Sequence, residues 1–317
     1  MSFPVFDLHC DTALALMGKD LMGGIELRKN DLHIDLERAA KLPGYAQCFA
    51  CFTTPGMRDW YQASPLAIFE REMGTILSEV EKNNKKIRIA YTAKDVRDHL
   101  EKGIMSAILT IEGPAGFSFD PGLLKDLYLV GFRMTTLGWN EQNLLVGSHK
   151  TGGGLTDTGR LYLKEAQKVG MIVDVSHISD EGCWDIMKVT DKPIVASHSN
   201  SRAVWDVSRN LTDDMFKAIC ETGGVVGLNQ YTDFIGANAD LNSACDHILH
   251  WLELDPDCRH IALGGDLDGC DTLPEGFEGV QSYPALAQKL AERGVTDEMI
   301  HRIYWENALG VMEACCM

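Results

Sequence analysis

Eight apolar runs of strand length, at 3–9, 46–53, 106–112, 130–137, 171–176, 193–198, 224–230 and 260–266, punctuate this chain, with helix-like stretches between most of them. Strands alternating with helices form a parallel sheet, and eight such units close into an α/β barrel of the (β/α)8 or TIM type. The stretch from Asp157 to Gly170 shows the helical grammar. Leu161, Leu163, Ala166 and Val169 are apolar, Lys and Glu are interleaved, and Gly170 supplies a C-terminal stop. A further run, 87–92, reads as a short accessory strand in the long second crossover, with the alternative that it replaces one of the eight. A chain of 317 residues, 45% of them hydrophobic, can bury one large core, so residues 1–317 are expected to form a single domain.

Several of these runs end in a side chain of the same chemistry. The run Val5-Phe6-Asp7-Leu8-His9-Cys10-Asp11 carries His9 and Asp11, which strand alternation puts on one side. The third run ends at Glu112, before a Gly113-Pro114 turn; the fifth delivers His177 and the sixth His198. Active sites of such barrels lie at the C-terminal ends of the strands, where these residues fall. Carboxylates and imidazoles are ligands for zinc and related divalent ions. His9 and Asp11 can hold one ion, His177 and His198 a second, and Glu112 has two oxygens with which to bridge them. Two ions so placed would acidify a bridging water and polarise a scissile carbonyl. Asp266 ends the eighth run and is the candidate general base and acid, with Gly264-Gly265 permitting close backbone approach. Any one of these residues alone is more often a cap or a hydrogen-bonding group than a ligand, and the shared position is what raises the metal reading. His33, His99, His149, His247, His250, His260 and His301 lie in polar or helix-like segments and are left as ordinary histidines. Asp174 is either a partner orienting a ligand imidazole or a hydrogen-bonded core aspartate.

The formal net charge of −17, unbroken by any Lys/Arg cluster, makes nucleic acid and anionic membrane poor partners. No stretch of about 18 apolar residues is available to span a bilayer. The first strand opens at Phe3 without a signal-peptide pattern, so a cytoplasmic location is expected. The ten cysteines lack framework spacing and are expected as thiols. Cys48 and Cys51 have redox-type spacing but would face opposite sides of a strand, whereas Cys315-Cys316 is expected as an exposed, reactive pair.

The sequence resembles the membrane (renal) dipeptidase family of the amidohydrolase superfamily over nearly its whole length. The resemblance rests on Asp7-Leu8-His9-Cys10-Asp11, Ile111-Glu112-Gly113, Gly154-Leu155-Thr156-Asp157, the segment Gly170 to His177, Ser197-His198-Ser199, Ser208-Arg209-Asn210 and Gly264-Gly265-Asp266-Leu267-Asp268-Gly269. It implies a barrel with two Zn2+ ions, one on His9 and Asp11, the other on His177 and His198, with Glu112 between them. By the family's motif Asp266 orients the water and moves its proton, and Arg209 holds the substrate carboxylate. The implied activity is hydrolysis of small dipeptides, often with a D-residue at the C-terminal position and in some members of β-lactams, by a protein that is often a homodimer. Trp139 departs from the pattern: well-studied members carry a substrate-contacting His there. An indole donates an N–H but bears no positive charge, which puts rate and preference in question rather than metal binding. The chain reaches Met317 without a hydrophobic tail, so no lipid anchor is expected.

Two alternatives stand beside this reading. Other two-metal barrel hydrolases, acting on lactones, phosphoesters or cyclic amides, commonly use a His-x-His first motif and a carbamylated lysine; His9-Cys10-Asp11 and Glu112 argue against them, and against a mononuclear deaminase. A non-catalytic metal-binding protein is disfavoured by the presence of Asp266.

Overall fold

The computed structural model describes residues 3–19, 21 and 23–316. Among the described residues nine strands are formed: β1 Val5–Cys10, β2 Tyr45–Phe52, β3 Ile87–Ile89, β4 Met105–Glu112, β5 Phe132–Thr136, β6 Ile172–Asp174, β7 Ile194–Val195, β8 Val226–Leu228 and β9 Ile261–Leu263. Eight of them pair in the order β7-β6-β5-β4-β2-β1-β9-β8, every pair parallel. A parallel bridge between Ala196 and Val226 joins the two ends of that path, so the sheet is a nearly closed (β/α)8 barrel. β3 lies off the path, paired only with the first half of β4 until β5 takes over that edge, which is the accessory role expected of run 87–92.

Burial follows from this closure. β4 is buried at all eight positions, as a parallel strand covered on both faces must be. One apolar cluster collects inward side chains from every barrel strand or its edge: Phe6, Leu8, Ala46, Cys48, Ile108, Met134, Ile172, Val195, Val225 and Ala262. The same cluster includes Trp305, Leu309, Met312, Cys315 and Cys316, so the C-terminal helix Asn307–Cys315 plugs the barrel end opposite the candidate site. Cys315 and Cys316 are therefore buried, and the expectation of an exposed pair is corrected. Cys48 joins the inner cluster and Cys51 the outer one, which confirms their opposite facing.

Local sequence sets the helix ends. Helix Asp157–Val169 starts with the Thr156 side chain accepting the Gly159 N–H and stops at Gly170, whose φ of +96° suits a residue without Cβ. Leu161 on this helix faces outward, whereas Leu163 and Ala166 are buried. The fourth strand starts later than its apolar run 130–137 predicts: Val130 closes the helix Leu124–Val130, and Gly131 turns the chain into β5.

Candidate metal centre

His9 reaches the site through a break in strand alternation. Phe6 and Leu8 face the barrel interior, whereas Val5 and Cys10 pack outside, so strict alternation would send His9 outward. The β1–β2 register shifts between Asp7 and Cys10, and a shift of this kind re-aims the side chains beyond it. Asp7 secures the shift from outside the barrel: its Oδ1 accepts the N–H groups of His9 and Gly265, at 2.9 and 3.0 Å, and its Oδ2 accepts the Tyr283 hydroxyl. Asp11 lies one residue past β1, where the chain turns into the short helix Thr12–Ala15, and that turn rather than strand alternation brings its carboxylate to His9.

The five candidate ligands come together at the C-terminal rim. Glu112, the last residue of β4, presents its two oxygens to two sides: Oε2 is 3.3 Å from His9 Nε2, and Oε1 is 2.9 Å from His177 Nε2. His9 Nε2 is also 3.4 Å from Asp11 Oδ2. His177 Nε2 and His198 Nε2 stand 2.9 Å apart, and the His9 and His198 rings stack with centroids 3.8 Å apart. Asp266 Oδ1 lies 3.8 Å from His9 Nε2, while its Oδ2 accepts the Asn229 side-chain N–H at 2.9 Å.

The electrostatics match a cation-binding cluster. Burial alone would depress the His9 imidazole, but the Glu112 and Asp11 carboxylates outweigh it and hold it well above its ordinary value. Burial, reinforced by Asp11, pushes the Glu112 carboxyl up to about 8. Burial, with Arg209 nearby, keeps His177 well below its usual range; burial, with His9 nearby, does the same for His198. Neutral imidazole is the ligand form. Burial also raises Asp266, against the opposing pull of His9. His9 Nε2 and Asp11 Oδ1 are buried without a hydrogen-bond partner, although buried polar atoms are normally satisfied. The triples His9, Glu112, His198 and His9, Asp11, Asp266 each place three ligand atoms within 4.8 Å of one another. The residues present thus fit a divalent cation.

Backbone strain gathers here as well. His177 and Asp266 adopt left-handed φ values of +70° and +55°, which side chains with a Cβ rarely take up and which concentrate at functional sites. The close approach expected at Gly264-Gly265 is real: a Cβ on Gly264 would lie 1.6 Å from the Ser197 carbonyl oxygen.

A cavity of about 510 Å³ opens over the cluster, lined among others by Glu112, Trp139, Asn140, His149, His177 and Asp266. Trp139 forms one wall with Phe52, their ring centroids 5.1 Å apart, and Trp60 packs edge-on against Trp139 at 5.7 Å. Arg209 does not line this cavity. It is buried and donates to Ser199 Oγ at 2.7 Å and to the His198 carbonyl at 3.0 Å, with its Nε unpartnered. A surface salt bridge is thereby excluded as its role. Lys150, by contrast, lines the cavity and is exposed.

The Asp174 alternatives resolve toward orientation. Its Oδ1 accepts the Ser176 and Ser197 N–H groups at 2.9 Å each, its Oδ2 accepts the Ser197 hydroxyl, and Ser197 Oγ is 2.6 Å from His198 Nδ1. Sequence reasoning missed Asn140, Ser197 and Asn229, which are neutral and so carry no signal of charge or ligand type. It also left His149 as an ordinary histidine, although that imidazole stands in the cavity wall, where burial and then Arg209 depress it to about 4.

A barrel whose strand ends gather carboxylates and imidazoles under an open cavity has the architecture of a metal-dependent barrel enzyme. The sequence profile of the membrane dipeptidase family, peptidase family M19, matches residues 1–316, and the chain belongs to that family. An uncharacterized dipeptidase of Schizosaccharomyces pombe is 37% identical over 223 residues, 68% of this chain and 53% of the yeast protein, so the match spans about half the length of that relative. A protein encoded in the pqqA 5' region of Klebsiella pneumoniae is 30% identical over 78% of this chain and 96% of its own length. Among solved structures, a metallopeptidase from Rhodobacter sphaeroides, liganded with a phosphinate mimic of the dipeptide L-Ala-D-Ala, superposes with a TM-score of 0.89 at 26% identity, covering 99% of this chain and 100% of that one. No helix among the described residues is long and apolar enough to cross a membrane.

Proposed function

We propose that residues 1–317 act as one catalytic domain, a dipeptidase that hydrolyses the peptide bond of small dipeptides with the help of two divalent ions, zinc being the first candidate. The observation that carries this reading is the placement of Glu112, one oxygen toward His9 and the other toward His177. His9 and Asp11 would hold one ion, His177 and His198 the other, and Glu112 would share both. When bound, such ions would acidify a water and polarise the scissile carbonyl. Asp266 takes the proton released from the attacking water on Oδ1, while Asn229 fixes its other oxygen, and passes it to the departing amine nitrogen. The relative solved with an L-Ala-D-Ala mimic supports tolerance of a D-residue at the C-terminal position. Ten free cysteines suit a reducing cytoplasm.

The substrate carboxylate has two candidate receptors. Arg209 is a buried guanidinium with no carboxylate in ion-pair distance among the described residues, and Lys150 is the cation that lines the cavity. Comparing a good dipeptide with its C-terminal amide in wild type, Arg209→Met and Lys150→Met separates them as a double cycle. Loss of preference for the free acid in Arg209→Met alone places the carboxylate there, and loss in Lys150→Met alone moves it to the rim. The activity itself is tested by elemental analysis and a screen of L-L and L-D dipeptides with zinc-loaded protein. Two zinc equivalents with dipeptide turnover are expected; turnover of a lactone or cyclic amide with no dipeptide cleaved would replace this reading with the rival hydrolase.

A further inference from the structure

Beside the candidate ligands, the cavity wall carries one more imidazole, His149, and two amide-bearing or aromatic neighbours in sequence, Trp139 and Asn140. Asn140 Oδ1 lies 2.9 Å from His177 Nδ1 and 2.9 Å from His149 Nε2. A carbonyl oxygen carries no hydrogen and has two lone pairs, so both ring nitrogens that face it must donate. A proton on Nδ1 of His177 leaves the lone pair on Nε2, and Nε2 is the atom that stands 2.9 Å from Glu112 Oε1. The reversed amide would set N–H groups against the His177 ring and drive its proton onto Nε2, where a ligand needs its lone pair. His149, donating from Nε2, is left to accept the Ser208 hydroxyl on Nδ1, at 2.9 Å. The His149 backbone N–H also donates to the His177 carbonyl at 2.8 Å, so the loop holds this residue at its main chain and its ring.

His198 shows the same device in other materials. Its Nδ1 meets Ser197 Oγ, whose own hydrogen is taken by Asp174. Imidazole ligands are commonly fixed in tautomer and ring plane by an acceptor on the nitrogen away from the ion.

We propose that Asn140 and His149 are positioning residues for His177, holding its proton on Nδ1 and its ring plane so that Nε2 is presented to an ion. This rests on the two-ion reading of the centre, but its test does not need catalysis. The first measurement is the tautomer of His177 in metal-free protein, read from nitrogen-15 chemical shifts, and the expected form in wild type is Nδ1–H. The second is zinc affinity by competition with a chromophoric chelator. Asn140→Leu should release one of the two zinc equivalents about 10- to 100-fold more easily, leaving the other equivalent and the melting temperature of the metal-free protein unchanged. Asn140→Asp, which keeps the acceptor, should bind zinc as wild type does. His149→Phe should show a smaller loss that His149→Gln, which keeps an N–H donor, restores.

An Nε2–H tautomer in metal-free wild type overturns the proposal, as does wild-type affinity in Asn140→Leu or an Asn140→Asp as weak as Asn140→Leu. Should Asn140→Leu fail to fold, the wild-type tautomer and the His149→Phe and His149→Gln pair decide. A wild type that takes up a single zinc equivalent, yet shows the Nδ1–H tautomer, tells against the two-ion reading and supports the positioning role.

Discussion

His177 and His198 approach the same carboxylate oxygen from neighbouring strand ends, yet they are supported by different parts of the molecule. His198 leans on Ser197 and Asp174, residues of the barrel wall that are fully buried, with Asp174 accepting the backbone N–H groups of Ser176 and Ser197. His177 leans on Asn140, 37 positions upstream in the rim loop after β5, and through it on His149. One support belongs to the scaffold and the other to a loop laid over it. Loops on such barrels vary while the wall persists, so the two ions of one centre can be tuned by separate means.

The largest expected effect is on the residue the two halves share. Glu112→Gln should lose both ions, and with them activity, more readily than His9→Ala, because it weakens both sites at once; elemental analysis under equal zinc concentration checks this, and a variant that keeps one full equivalent would make the halves independent. Asp266→Asn comes next. It keeps its shape and its Asn229 contact, so zinc content should stay at two while turnover falls by about 10²-fold or more, the scale of acid–base catalysis. Near-normal turnover would hand the proton to another group.

Comparing the two supports gives smaller effects. Ser197→Ala should weaken one zinc equivalent about 10- to 100-fold, as Asn140→Leu should. The wall variant should also cost about 1–3 kcal/mol of stability, since it strips a partner from buried Asp174, whereas the loop variant should cost little. Equal losses of stability in a denaturant titration would erase the distinction between wall and loop. Finally, binding must displace protons, because burial holds Glu112 up to about 8 and the neighbouring carboxylates hold His9 raised. Protons therefore compete with the ion below these values, and zinc affinity should climb as pH rises from 6 toward 8, by about tenfold per unit for each proton displaced. Calorimetry in buffers of different ionisation enthalpy would show the release, and an affinity flat across that range would mean that the free centre is already deprotonated.

Much of the scaffold was legible. The eight runs, the accessory strand and the Gly170 stop all follow from periodicity and turn chemistry, which act over a few residues. The boundary error at Val130 has the same origin, since an apolar residue before Gly131 satisfies a helix end as well as a strand start. The candidate ligands were visible because several residues of ligand type share one position, the end of an apolar run. His149 was not, because nothing in its polar local sequence distinguishes an imidazole facing solvent from one facing a cavity.

The sequence by itself determined the number of strands and their succession along the chain, and which carboxylates and imidazoles stand at their C-terminal ends, because continuous apolar runs bounded by turn residues can be read locally. Tertiary structure alone decided that His9 turns inward, through a register shift held by Asp7 across to Gly265, and that Glu112 faces two imidazoles at once. It also decided that Asn140 rather than a charged residue holds His177, and that Cys315 and Cys316 are sealed beneath the barrel. Each of these depends on distances between segments far apart in the chain. Such distances are fixed only when the barrel closes and every strand takes its place against the others.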